Sequence, residues 1–161
     1  VDLYLMQHGA CLSEDVNPDQ PLSPVGREAV ARSARAAKAM GLAFELMIAS
    51  PKTRARETAA IVAEAVDYPL SAVLVTEEVK ALARPETTYE LLRRRREARR
   101  VFIAGHLPHI PRLICASLGL RGESAVRIEN AGLACLHLED FAPSRGSLEW
   151  SLCAWQLALI H

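Results

Sequence analysis

The chain lacks a net charge: 19 Lys+Arg balance 19 Asp+Glu. No global field therefore draws it to nucleic acid or to a membrane surface. It lacks an apolar run long enough to span a bilayer, and no secretory signal is visible. Its 4 cysteines, Cys11, Cys115, Cys135 and Cys153, are widely spaced in mostly apolar surroundings. That spacing excludes the zinc-knuckle patterns, and a reducing cytoplasm with free thiols is the expected setting. Internal repeats, low-complexity tracts and linkers are also missing. What is present is 161 residues, 50% of them hydrophobic. That suits one domain over residues 1–161 with a sizeable core.

Apolar runs alternate with helical patterns. Leu3–Met6 reads as a strand buried on both faces. Ser23 and Pro24 cap and start a helix that Gly41 ends. Phe44–Ala49 is a second strand. Pro51 to about Val66 is a helix with Ala55, Ala59, Val62 and Val66 as its buried stripe. Ala72–Thr76 is a third, β-branched strand, and Pro85–Arg99 becomes helical. Val101–Ala104 is the fourth strand, and Ile110–Leu118 is a helix closed by Gly119. Gly132–Leu138 and Ser147–Trp155 read as final, antiparallel strands around a Pro143–Gly146 turn. The pattern predicts an α/β fold, an open, mostly parallel sheet with helices.

Three strand exits share one design. His8-Gly9 follows the first strand, Gly105-His106 follows the fourth, and Ser50-Pro51 follows the second. In open α/β sheets ligands bind outside the carboxyl ends of the strands. Ser50 as N-cap and Pro51 as first helical residue would aim backbone N–H groups at that rim, with Arg54 one turn in. Two histidines, an arginine and a helix N-terminus make an anion site, with phosphate the expected anion. Plainer readings stand beside this one. His8 could simply end a strand, Arg54 could be a solvated helix residue, and His106 could be held by backbone. Arg56 is the more structural arginine of its helix, and His109 faces the rim or solvent. Zinc held by His8, His106 and His109 lacks a carboxylate or cysteine to complete a ligand set.

The joint set resembles the histidine phosphatase (phosphoglycerate mutase-like) superfamily. It comprises His8-Gly9, Pro21-Leu22-Ser23-x-x-Gly26, Ser50-Pro51 with Arg54 and Glu57-Thr58, and Gly105-His106-x-Pro108. The short length points to the small phosphohistidine phosphatase branch of the SixA type. The resemblance implies helices on both faces of the sheet and no large cap insertion between Thr76 and Val101. It implies a phosphatase in which neutral His8 attacks phosphorus and becomes phosphohistidine. Arg54 and His106 join His8 as catalytic residues, and Gln7, Gly9, Arg54 and His106 bind substrate. No metal and no cofactor are implied. The expected partner is a phosphorylated protein, such as a phosphohistidine-bearing domain, with no nucleic acid and no membrane. A cytoplasmic monomer is the expected state.

One departure stands out. The family's motif is Arg-His-Gly, and this chain carries Gln7. A glutamine amide donates hydrogen bonds but has no charge. Weak activity is therefore expected, favouring mildly acidic pH where His106 is more often charged. A catalytically weak phosphate-binding or regulatory module is the alternative, and a small-metabolite phosphomonoesterase a further one. No motif fixes a general acid. Glu77 and Glu78 lie where many relatives carry one, and Ala10 stands where the small branch often has an acidic residue. The run Arg93–Arg96, with Arg99 and Arg100, is either a docking patch for an acidic partner or a solvated helix C-terminus.

Overall fold

The computed structural model describes residues 1–161. The strands are β1 (Asp2–Gln7), β2 (Leu46–Ala49), β3 (Leu74–Val75), β4 (Arg100–Gly105), β5 (Leu133–Leu138) and β6 (Gly146–Leu152). The helices are α1 (Pro24–Ala39), α2 (Thr53–Ala65), α3 (Pro85–Arg94), α4 (His109–Leu118) and α5 (Ala154–Leu157). One six-stranded sheet runs in the order β3-β2-β4-β1-β5-β6. The first four of these are parallel to one another, and β5 and β6 are each antiparallel to their inner neighbour.

Strand alternation sorts the core into two layers. Tyr4, Met6, Met47, Phe102 and Ala104 face α1 and α2, where they meet Val30, Ala34, Ala59 and Val62. Leu3, Leu5, Ile48, Val101 and Ile103 face α3 and α4, meeting Tyr89, Leu92, Leu113 and Ile114. The central strands are thus apolar on both sides, as a parallel sheet between helix layers requires. Between β3 and β4 lie only a 3₁₀ turn, Glu77–Val79, and α3. No helix is long and apolar enough to cross a membrane.

Several boundaries differ from the sequence reading. α3 stops at Arg94, not Arg99, and the chain turns back before β4. Phe44 lies before β2 and packs its ring on Tyr4 at 5.2 Å between centroids. β3 is shorter than the β-branched run suggested. The last strand ends at Leu152, and Trp155 sits in the short helix α5, 65% exposed, while its neighbour Leu157 is buried.

α1 begins as read: the Ser23 side chain accepts the Gly26 N–H at 3.0 Å, and Pro24 opens the helix. α2 does not. Its N-cap position is Lys52, which makes no side-chain cap, and the helix starts at Thr53. Ser50 is fully buried, and its hydroxyl lies against His106 at the next strand exit while accepting the Lys52 N–H at 3.4 Å.

Candidate active site

The parallel register Gln7↔Gly105 brings the exits of β1 and β4 side by side. The His8 N–H donates to the Gly105 carbonyl at 3.0 Å. The rings of His8 and His106 meet edge-on with centroids 5.0 Å apart. Arg54, in the first turn of α2, donates from Nε to His8 Nε2 at 3.3 Å. The three expected side chains therefore converge at the carboxyl rim of the sheet.

His8 has a defined proton position. Its Nδ1 lies 2.7 Å from the Gly9 carbonyl, which can only accept. Its Nε2 receives a guanidinium N–H, which can only donate. Both contacts require the proton on Nδ1 and the lone pair on Nε2. Burial pushes the His8 pKa below its ordinary value and the Arg54 charge adds to that, against the Gly9 hydrogen bond. The ring is therefore neutral at pH 7.

His106 is buried, with Nε2 2.5 Å from Ser50 Oγ. Burial first, then the neighbouring His8, Arg54, His109 and Lys52, pushes its pKa down to about 3. This corrects the expectation that His106 becomes charged in mild acid. A Ser50 hydroxyl donating to Nε2 leaves the His106 proton on Nδ1, which has no hydrogen bond to the protein.

The loop after β1 is clamped from several directions. The Gly9 N–H donates to Thr58 Oγ1 at 3.1 Å, and Thr58 in turn donates to the Arg54 carbonyl at 2.8 Å. Glu57 accepts the Leu22 N–H at 2.7 Å and pairs with Arg27 at 2.6 Å. A Cβ on Gly9 would lie 2.7 Å from Val30 and 2.9 Å from the Gly26 carbonyl oxygen. α1 presses on Gly9 and leaves no space for a side chain there. Asn130 donates to the His8 carbonyl at 2.8 Å, and the Ala131 N–H donates to the Gln7 carbonyl at 3.0 Å.

A cavity of about 220 Å³ opens beside these groups, lined by Lys52, Arg54, Lys80, Ala81, Leu82 and His106. The lining includes no carboxylate. Glu77 is paired with Lys80, and Glu78 is held by Thr76 Oγ1 at 3.0 Å and by Arg94. Gln7 is 7% exposed, and its buried Oε1 has no hydrogen-bond partner. The alternation of β1 carries its side chain with Leu3 and Leu5 toward the α3–α4 layer. His109 faces neither rim nor solvent. It is fully buried with Nε2 2.8 Å from Thr88 Oγ1, and burial lowers its pKa to about 4. No group of three or more His, Cys, Asp or Glu side chains is placed to hold a metal ion.

Sequence reasoning missed four residues: Ser50 as a partner of His106, Lys52 and Lys80 on the cavity wall, and Asn130 under His8. Only Lys52 left a local trace, a cation at a helix start where an acid is favoured. Arg93 pairs with Glu90 and the Phe141 carbonyl, and Arg94 with Glu78. Arg99 and Arg100 stand at the opposite end of β4 from His106, on the order of 20 Å away at strand rise.

Fold and rim together define a class, an α/β protein of phosphoglycerate mutase-like fold with paired histidines and an arginine at its strand exits. The pattern of the histidine phosphatase superfamily (branch 1) matches residues 3–80. Its fold is similar to that of the protein histidine phosphatase SixA solved with tungstate, at TM-score 0.85 and 20% identity, covering 98% of this chain and 99% of that one. It is also similar to a SixA phosphohistidine phosphatase structure from Agrobacterium tumefaciens, at 0.79 and 22%, covering 94% and 97%. A phosphoserine phosphatase from Entamoeba histolytica aligns at 0.74 and 14%, covering 97% and 98%. At these identities the likeness concerns the fold. No curated protein matches the chain in sequence.

Proposed function

We propose that the chain is a phosphohistidine-type phosphatase that removes phosphate from a phosphorylated protein through a covalent intermediate on His8. The observation that carries this reading is the fixed tautomer of His8, with Nε2 unprotonated and facing Arg54. The Nε2 lone pair attacks phosphorus, and the bond to the leaving group breaks with its electron pair. Water then attacks the phosphohistidine, the P–N bond breaks, and inorganic phosphate leaves with His8 neutral again. Arg54 presents a planar fork to the phosphoryl oxygens. His106 Nδ1–H supplies a neutral donor. Catalysis of this kind is mainly positioning and charge stabilisation.

Two features favour a protein-borne phosphohistidine over an alkyl phosphate. The cavity lining offers no carboxylate to protonate a poor leaving group, whereas an imidazole leaves a labile P–N bond readily. Only the turn Glu77–Val79 and α3 lie between β3 and β4, with no large inserted cap, which leaves room for a phosphorylated side chain of another protein to approach the rim. A second reading, a phosphate-binding module with little turnover, is favoured by Gln7, which adds no charge to the rim.

The deciding experiment incubates the protein with a ³²P-phosphohistidine protein and quenches in alkali, where N-linked phosphate survives. Release of inorganic phosphate, with transient label on this chain that His8→Ala abolishes, supports the enzyme. Tight phosphate binding without release supports the module. Turnover that survives in His8→Ala overturns the mechanism.

A further inference from the structure

We propose that Lys52 is a phosphate-binding residue of this site, supplying the full positive charge that Gln7 does not; the proposal rests on the phosphatase reading. A count of charges around the rim leads to it. Gln7 is uncharged, His8 is neutral, and burial keeps His106 neutral down to about pH 3. Of the residues expected from sequence, only Arg54 brings a full charge to a site meant for a dianion.

Two lysines line the same cavity as Arg54 and His106. They are not equivalent. The chain has only three lysines: Lys38 pairs with Asp67, Lys80 pairs with Glu77, and Lys52 has no carboxylate partner. Lys52 occupies the N-cap position of α2, where its side chain caps nothing and where the first turn holds no acid. Instead Lys52, Arg54 and Arg56 crowd the positive end of the helix dipole, an unfavourable arrangement that a bound anion reverses. The backbone also ties Lys52 to the reacting rim. Its N–H donates at 3.4 Å to Ser50 Oγ, the same hydroxyl that lies 2.5 Å from His106 Nε2. A flexible four-carbon stem lets the ammonium move from solvent onto phosphoryl oxygens.

The test compares Lys52→Met, Lys52→Arg and Lys80→Met with the native protein, and adds Gln7→Arg to native and Lys52→Met backgrounds. The readouts are kcat/KM on an aryl phosphate and, independent of turnover, the calorimetric Kd for inorganic phosphate. Lys52→Met is expected to lose roughly tenfold or more in both, a part of what one transition-state donor can carry. Lys52→Arg should recover most of that loss, and Lys80→Met should lose clearly less than Lys52→Met, because its ammonium is already paired with Glu77. In a double-mutant cycle, Gln7→Arg should gain more in the Lys52→Met background than in the native one. If buried Gln7→Arg does not fold, the contrast between Lys52→Met and Lys52→Arg decides. Unchanged phosphate affinity and turnover in Lys52→Met, or a larger loss in Lys80→Met, overturns the assignment. If native protein binds phosphate without turnover and Lys52→Met binds it tenfold more weakly, the lysine assignment stands while the phosphatase reading falls. Native protein that turns over, matched by Lys52→Met, gives the reverse. Native protein that neither binds nor turns over phosphate overturns both.

Discussion

Arg54 Nε points at the one unprotonated nitrogen of His8, 3.3 Å away. In the mechanism we propose, the guanidinium therefore faces the same lone pair that would meet phosphorus. There, substrate entry would turn the Arg54 donors from His8 to phosphoryl oxygens. On that mechanism one contact would serve two states, orienting His8 beforehand and releasing it when the phosphoryl group arrives.

His8→Ala should abolish transient labelling and phosphate release while leaving the fold intact. The backbone hydrogen bonds of residue 8 to Gly105 and Asn130 do not involve its side chain. Melting within a few degrees of the native protein, with no trapped phosphoprotein, is the expected pair of results. Retained labelling at another residue would remove His8 from the reaction.

Arg54→Lys keeps a charge but loses the fork. A loss of roughly a hundred- to a thousandfold in kcat/KM is expected, as for other transition-state donors. Arg54→Ala has a second, spectroscopic consequence. The arginine is one of the causes that lower the His8 pKa, so its removal should raise the His8 midpoint in an NMR titration. A midpoint that falls or stays put would contradict the contact.

Thr58→Val leaves the buried Gly9 N–H without its acceptor. An unsatisfied buried donor costs about 1–3 kcal/mol, which denaturant titration resolves. Activity should fall with it, because the loop that holds His8 is slackened. Thr58→Ser keeps the hydroxyl and should recover most of both losses.

Acid should destabilise the protein through two buried imidazoles. His106 and His109 are held to about 3 and about 4 in the folded chain, against ~6.5 when unfolded. The unfolded state therefore binds more protons between these values, and stability falls as pH drops from about 6.5 toward 4. Each group adds at most about 1.4 kcal/mol per pH unit within that window. His109→Gln should lower stability at pH 7 but flatten the dependence of Tm on pH. An unchanged slope would show that His109 is not a titrating group.

The sequence made the sheet legible because its central strands carry apolar residues on both faces and its first helix declares its cap. His8, Arg54 and His106 were legible because strand exits in parallel sheets gather on one rim. What it hid depends on distance along the chain. Ser50 looks like a cap by its neighbours, yet its hydroxyl is spent on His106, 56 residues away. Asn130 lies in a turn with no local sign that it reaches His8. The end of α3 was misplaced because a run of arginines has no apolar period to mark where burial stops.

Gly26 touches none of the reacting groups, yet a Cβ there would lie 1.9 Å from the Ala10 carbonyl oxygen. Any side chain pushes the loop after His8 away from α1. A loss-of-function screen would therefore score Gly26 alongside the residues that handle phosphate, and few replacements would survive. Mutational intolerance at this position reports crowding beneath the site, and a map of the site drawn from tolerance alone would extend a helix too far.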